Sequence, residues 1–365
     1  MNRTVLQLNS LPGWVPAAAL AVILSLTASA AFAQATAVPA APAAQSPAAP
    51  PSAPAPTAPV DPLPAANPRF FTAPTPTVDT VNSFLHQVWG SDTNRLWRVE
   101  GIQTTPAPGV VKVTVFITLK NDPKAQVQAA TFFVTPDGKH AIGEGASGVV
   151  PFGATPFADT RDLLRQHANG AWRGAPGKDL ELVEFADLQC PHCKEVQSVM
   201  DDIVKDFPNA HVVFQLFPLV DIHPSAFKAA AFGVCAQKQS NDGFFKFAAG
   251  VFETQDGLSP TTDDTLLKAA AKRAGLDSDA IADCAATPAT KDLVNADIKL
   301  AADAGVDQTP MLSVNGRLLP IAGVSFEAIK QLIQFQATLD GVDSGATAET
   351  LAPKPEQPKL TDLPK

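Results

Sequence analysis

The sequence predicts an α/β domain with a parallel strand pair and an inserted helical block, preceded by a small α+β module. Three observations carry this reading. A strand-like run, Asp179–Ala186, leads into Cys190-Pro191-His192-Cys193, and behind it Val196, Val199, Met200, Ile203, Val204 and Phe207 recur on one helical face. After a turn at Pro208-Asn209 comes a second buried run, His211–Leu219, so strand, helical crossover and strand imply a parallel pair. Between His223 and Gly305 the pattern is helical, with breaks expected at Gly250, Gly257, Gly275 and Thr287-Pro288. His223, before Pro224, reads as a helix-start residue.

The remaining elements follow in order. Val78, Val81, Phe84, Leu85 and Val88 fall at helical spacing, and Arg95–Ile102, Val110–Leu119 and Gln126–Val134 read as strands. Thr135-Pro136-Asp137-Gly138 turns the chain into Lys139–Ile142. Asp159–His167 reads as a helix leading out, which gives a front module at 78–168 and a second domain at 172–340 with its helical insertion at about 223–305. Met311–Val314 and Arg317–Ile321 flank Asn315-Gly316, a hairpin signal. Ser325 is placed to cap a last helix bearing Phe326, Ile329, Leu332 and Ile333 on one face.

The termini read differently. Arg3, the apolar run Val15–Leu26 and the small-residue site Ala31-Phe32-Ala33 form the layout of a secretory signal peptide over residues 1–33. The apolar run is short for a bilayer span of ~20 residues. Residues 34–77 are Ala/Pro-rich and expected to be an unpacked tether, and the polar, Pro-rich stretch 341–365 a disordered tail. A net charge of -9 without a Lys/Arg cluster argues against nucleic acid or anionic membrane as partner. Export would place the cysteines in an oxidising compartment, where they pair or act as redox groups.

A Cys-x-x-Cys pair serves zinc, haem and redox sites alike, so its setting decides. Lys194 stands where haem attachment needs a histidine. The other two cysteines are isolated and the histidines form no paired spacing, so no metal site is expected. The strand before and helix after the motif put Cys190 at a helix N-terminus, where main-chain N–H groups and the dipole stabilise a thiolate, and His192 adds a donor or a positive charge. A stabilised reduced form makes the disulfide a strong oxidant. Cys193, one turn along, suits the resolving role. No cofactor beyond this dithiol is expected.

The run Glu184-Phe185-Ala186-Asp187-Leu188-Gln189-Cys190-Pro191-His192-Cys193 resembles the DsbA-like branch of the thioredoxin superfamily. The resemblance implies a thioredoxin fold whose helical insertion matches 223–305. It implies a cis-proline against the dithiol, a position that Thr309-Pro310 fits, with both residues docking substrate; from the residues alone, a trans loop proline is the alternative. It also implies a buried, proton-relaying acid six residues before the first cysteine. Glu184 has that spacing, although its alternation with Val183 and Phe185 fits a solvent-facing strand position too. Relatives with a second cysteine pair imply a structural Cys235–Cys284 disulfide, the alternative being two inert buried thiols. In layout only, the front module is similar to that of the DsbC/DsbG isomerases, which dimerises.

The implied partners are exported thiol- or disulfide-containing proteins and a membrane redox protein. That protein would be a quinone-linked oxidase for an oxidant, the favoured direction, or a thiol reductant for an isomerase or reductase. A homodimer stays open. The non-enzymatic alternative is a periplasmic chaperone or copper-binding module, but the methionines, at 1, 200 and 311, form no copper-binding tract.

Overall fold

The computed structural model describes residues 66–346 apart from 121, 123–124 and 144–147. The expected signal peptide, residues 34–65 of the tether and the tail beyond 346 lie outside the described residues.

The front module is a five-stranded meander, β1 (Arg95–Thr104), β2 (Val111–Leu119), β3 (Gln128–Val134), β4 (His140–Gly143) and β5 (Val149–Pro151), with every neighbouring pair antiparallel. Helix α1 (Val78–Trp89) begins where the Thr77 hydroxyl accepts the Thr80 N–H, and it buries Val81, Phe84 and Leu85 against Val113, Val115 and Phe132. Along β2, Val111, Val113, Val115 and Ile117 alternate with Lys112, Thr114, Phe116 and Thr118, which turns Val113 and Val115 into this core. Strand β5 has no alternation to reveal it, and all three of its residues are exposed.

The predicted tether ends earlier than residue 77. Pro68–Phe70 form a 3₁₀ turn, Phe71 bridges to Ile102, and the Thr72 N–H donates to the Ile102 carbonyl. Gly101 makes room for this segment, since a Cβ there would lie 2.8 Å from the Phe70 Cβ. Residues 68–77 therefore belong to the front module, because Phe71 and Ala73 are apolar enough to join its core.

The second sheet runs β10 (Arg317–Pro320), β9 (Met311–Val314), β7 (Leu180–Ala186), β8 (Ala210–Leu216), β6 (Ala171–Gly174). Strands β7 and β8 are parallel and the other pairs antiparallel. Every residue of β7 and β8 is buried, as strands covered on both faces require. One face packs on α4 (Gln197–Asp206) and α10 (Phe326–Leu339) through Met200, Ile203, Ile329 and Ile333. The other packs on α2 (Ala158–His167) and α9 (Pro288–Ala304) through Leu164, Val183, Phe185, Leu300 and Ala301.

This corrects the boundary placed at residue 168. Helix α2 is not a lead-out from the front module: Leu164 sits in the core of the second domain, 1% exposed. Leu164→Ala is expected to cost 2–5 kcal/mol, the usual range for a buried leucine. A fragment starting at residue 169 should accordingly melt well below one starting at residue 154; equal melting temperatures would return α2 to the front module.

The insertion comprises α5 (Ala226–Gln239), α6 (Asn241–Thr254), α7 (Asp263–Arg273) and α8 (Ser278–Ala286). Gly250 does not break it. This glycine lies inside α6, where an added Cβ would be 3.3 Å from the Ala270 Cβ, so it serves close helix packing. The break falls at Ser240, whose hydroxyl accepts the Gly243 N–H and caps α6. Cys235 on α5 and Cys284 on α8 are joined by a disulfide with Cα atoms 6.0 Å apart. Its closure of a 49-residue separation contributes about 4 kcal/mol on the chain-entropy estimate.

At the C-terminal side, the tail expected from residue 341 starts later. Val342 and Ala346 pack against the α4–α10 core, and the Asn209 side chain donates to the Asp343 carbonyl at 3.3 Å. The front module is tied in by Arg317 on β10, whose guanidinium donates to the carbonyls of Gln87 and Val88, each at 2.8 Å.

Candidate active site

The Cys190-Pro191-His192-Cys193 motif sits at the C-terminal end of β7, the central strand. It opens a short helix α3 (Pro191–Glu195) with Cys190 as N-cap and Pro191 in the first turn, where a missing N–H leaves no bond unmade. The single helix expected from the motif to Phe207 is interrupted at Val196, where α4 begins. Both thiols are free and buried: Cys190 is 4% exposed and Cys193 fully enclosed.

Facing them is the Thr309–Pro310 peptide bond, which is cis. The Cys190 thiol lies 3.8 Å from the Thr309 carbonyl oxygen. The Thr309 hydroxyl is buried without a hydrogen-bond partner, and it favours the thiolate of either cysteine. It is an orphan donor that a charged sulfur would satisfy.

These surroundings push the two sulfurs apart. Cys190 is lowered to about 5, first by a hydrogen bond from Cys193, then by the Thr309 side chain and the main-chain N–H groups of Cys193 and His192, all acting against burial. Cys193 is pushed strongly upward, mainly by burial and then by the neighbouring Cys190. The His192 imidazole does not turn onto Cys190 as its place in the motif implied. It is exposed, with Nδ1 2.9 Å from the Glu195 carboxylate, which raises its pKa. His192 reaches Cys190 chiefly through its main-chain N–H.

Glu184 lies on β7 and is 1% exposed, because both faces of the sheet are covered; the solvent-facing alternative fails for that reason. The Gln197 amide donates to its Oε1 at 2.7 Å and to the Cys193 carbonyl at 2.9 Å. Burial raises Glu184 to about 7 against the Gln197 hydrogen bond, and burial raises Asp297 on α9 to about 7 as well. A carboxyl whose folded pKa exceeds its unfolded value contributes stability that is complete below the unfolded value and gone above the folded one. Stability should therefore fall as pH rises from about 4.5 to about 7. Glu184→Gln is expected to leave the protein unchanged near pH 4 and to stabilise it by about 3 kcal/mol at pH 8, leaving the slope due to Asp297. Denaturant unfolding at the two pH values checks this, and an equal effect at both would contradict it.

Several polar residues that sequence reasoning passed over hold the motif. The buried Asp187 carboxylate accepts from the Gln189 N–H at 2.7 Å, the Leu219 N–H at 2.9 Å and His223 Nδ1 at 2.7 Å. The Asp187 N–H in turn donates to the Cys193 sulfur at 3.4 Å. The Gln189 amide bridges to the insertion, donating to the Leu258 carbonyl and accepting the Ser225 N–H. Gln255, on the turn after α6, donates to the Leu188 and Cys190 carbonyls. His223, read as a helix-start residue, is thus drawn to the motif. The available signal was Asp187 and Gln189 standing as polar residues in an otherwise apolar approach to the motif.

A family model described as Thioredoxin matches residues 166–335, the span that holds this sheet, the dithiol and the insertion. The matched span has the thioredoxin fold. Similar solved structures include a thioredoxin-like oxidoreductase from Silicibacter pomeroyi, 24% identical, covering 48% of this chain and 95% of that one with a TM-score of 0.41. Others are the catalytic domain of Proteus mirabilis ScsC (20%, 49% and 98%, 0.40) and Wolbachia pipientis alpha-DsbA1 (23%, 50% and 97%, 0.43). Among curated proteins, the Na(+)/H(+) antiporter NhaA 3 of Salinispora tropica is 30% identical over 156 residues, which are 43% of this chain and 22% of the antiporter. NhaA 1 of Mycolicibacterium gilvum is 36% identical over 87 residues, 24% of this chain and 14% of that protein. The chain spans about a fifth of the length of the first of these relatives. Within this thioredoxin-fold domain, the insertion supplies Gln255 and Ser225 to the motif, so it forms one wall of the site as well as a separate helical layer.

Proposed function

We propose that this protein is an extracytoplasmic thiol:disulfide oxidoreductase that acts as an oxidant, passing a Cys190–Cys193 disulfide to newly exported polypeptides. The observation that carries the reading is the asymmetry of the dithiol: one sulfur held as a thiolate at neutral pH, its partner kept protonated. A substrate thiolate attacks the Cys190 sulfur of the disulfide, forming a substrate–Cys190 bond, and Cys193 leaves as a thiolate that takes up a proton. A second substrate thiolate then attacks the substrate sulfur of the mixed disulfide, and Cys190 leaves as a stable thiolate. Two electrons pass from substrate to protein and the substrate gains a disulfide. Thr309 and Pro310 dock the substrate chain beside Cys190, and Glu184 supplies the Cys193 proton. A quinone-linked membrane oxidase is the partner proposed to restore the disulfide.

The test is the reduction potential of the pair, equilibrated against glutathione. The oxidant reading expects a value more oxidising than about −200 mV. A more reducing value would turn the enzyme into a reductase or isomerase served by a membrane thiol reductant. One observation favours a dimeric isomerase as the second reading: β5 is a terminal strand whose Val149 and Val150 are exposed, so its edge is open to pairing with another copy. Light scattering that gives the mass of one chain would end that reading.

A further inference from the structure

We infer that Asp187 and His223 form a positioning pair that holds a main-chain donor on Cys193, and that this donor controls the step in which the Cys190–Cys193 bond forms or breaks. The inference rests on the exchange chemistry proposed above. In either direction of exchange, Cys193 carries a negative charge at that step: it leaves as a thiolate or attacks as one. Cys193 is fully enclosed, so water does not solvate that charge. The Asp187 N–H points at its sulfur from 3.4 Å.

What fixes this N–H is the Asp187 side chain. Its carboxylate can only accept, so the Nδ1 of His223 carries the proton of their 2.7 Å contact. The same oxygen takes the Leu219 N–H, and the other takes the Gln189 N–H. The carboxylate thereby staples the start of the motif to the segment after β8. His223, partly open to solvent, touches neither sulfur, and its effect passes through Asp187.

Glutathione disulfide added to the reduced full-length protein separates the steps. The Cys190 thiolate attacks one glutathione sulfur and expels a glutathione thiolate, leaving a Cys190–glutathione disulfide. Cys193, after losing its proton, attacks the Cys190 sulfur and expels the second glutathione thiolate. Two electrons move to glutathione disulfide, and the two thiolates are protonated to their ordinary extent in water. Acid quenching and mass spectrometry follow the adduct.

Asn places an amide nitrogen where His223 has Nδ1, whereas Gln places it near Nε2. His223→Asn should therefore resolve the adduct at close to the native rate. His223→Gln and His223→Ala should resolve it about tenfold more slowly, the size of one hydrogen bond to a charged group, with adduct formation unchanged in all three. Resolution at the native rate in His223→Gln would overturn the inference, and so would equal slowing of formation and resolution. Failure of the native protein to form any adduct would instead overturn the exchange reading, and the inference with it.

Discussion

Cys193→Ser is expected to stall the protein as a covalent adduct on Cys190. A disulfide substrate would still be attacked by Cys190, but the serine hydroxyl, far less acidic than a thiol, cannot displace it. The adduct should appear as a mass increase that dithiothreitol removes, while turnover of a dithiol substrate is lost. Cys193→Ala adds a second reading. The hydrogen bond from Cys193 is the largest influence lowering Cys190, so removing it should move Cys190 from about 5 toward its ordinary 9. Thiolate absorbance against pH measures this directly. An adduct that dissolves at the native rate, or a Cys190 pKa unchanged by Cys193→Ala, would remove Cys193 from its assigned role.

The reduced protein is expected to outlast the oxidised protein in denaturant, by a margin that widens with pH. Cys190 has a folded pKa of about 5 against an ordinary value of 9.0, so its thiolate contributes stability that is complete above 9 and lost as pH falls through 5. The disulfide form has no thiolate and gains nothing. The contribution should grow by about 1.4 kcal/mol per pH unit between 5 and 9, reaching about 3 kcal/mol at pH 7. For a two-electron couple that moves the potential by about 60 mV in the oxidising direction. Unfolding curves of the two redox forms at pH 5, 7 and 8 test the slope. A difference independent of pH would mean that the thiolate is not what separates the two forms.

The parts of this fold that the sequence revealed are those written as a period or a tight local motif. Strand β7, the helical face from Val196 to Phe207, the β9–β10 hairpin and the Ser325 cap all have that character. The hidden parts were of two kinds. Leu164 shows that a helix faces a core but not which core, and α2 joins the domain after it instead of the module before it. Gly250 shows a missing side chain but not its reason, here the close approach of Ala270 on α7 rather than a turn. The polar contacts of the site are harder still. His223 meets Asp187 across 36 residues, and Gln255 meets the Cys190 carbonyl across 65. Such bonds leave no repeat in a sequence, and each partner alone resembles any surface polar residue.

Arg317 sets a condition on the order in which the chain can finish folding. The last carbonyls of α1 have no donors within their own helix, and two of them are met by a guanidinium 230 and 229 residues downstream. A chain made from its N-terminus at 5–20 residues per second would leave that helix end without its cap for on the order of 10–50 s. Until β10 emerges, the front module holds its own sheet and core but an open helix end. The arrival of Arg317 then joins the first α-helix and the last hairpin of the described residues, with α10 still to follow.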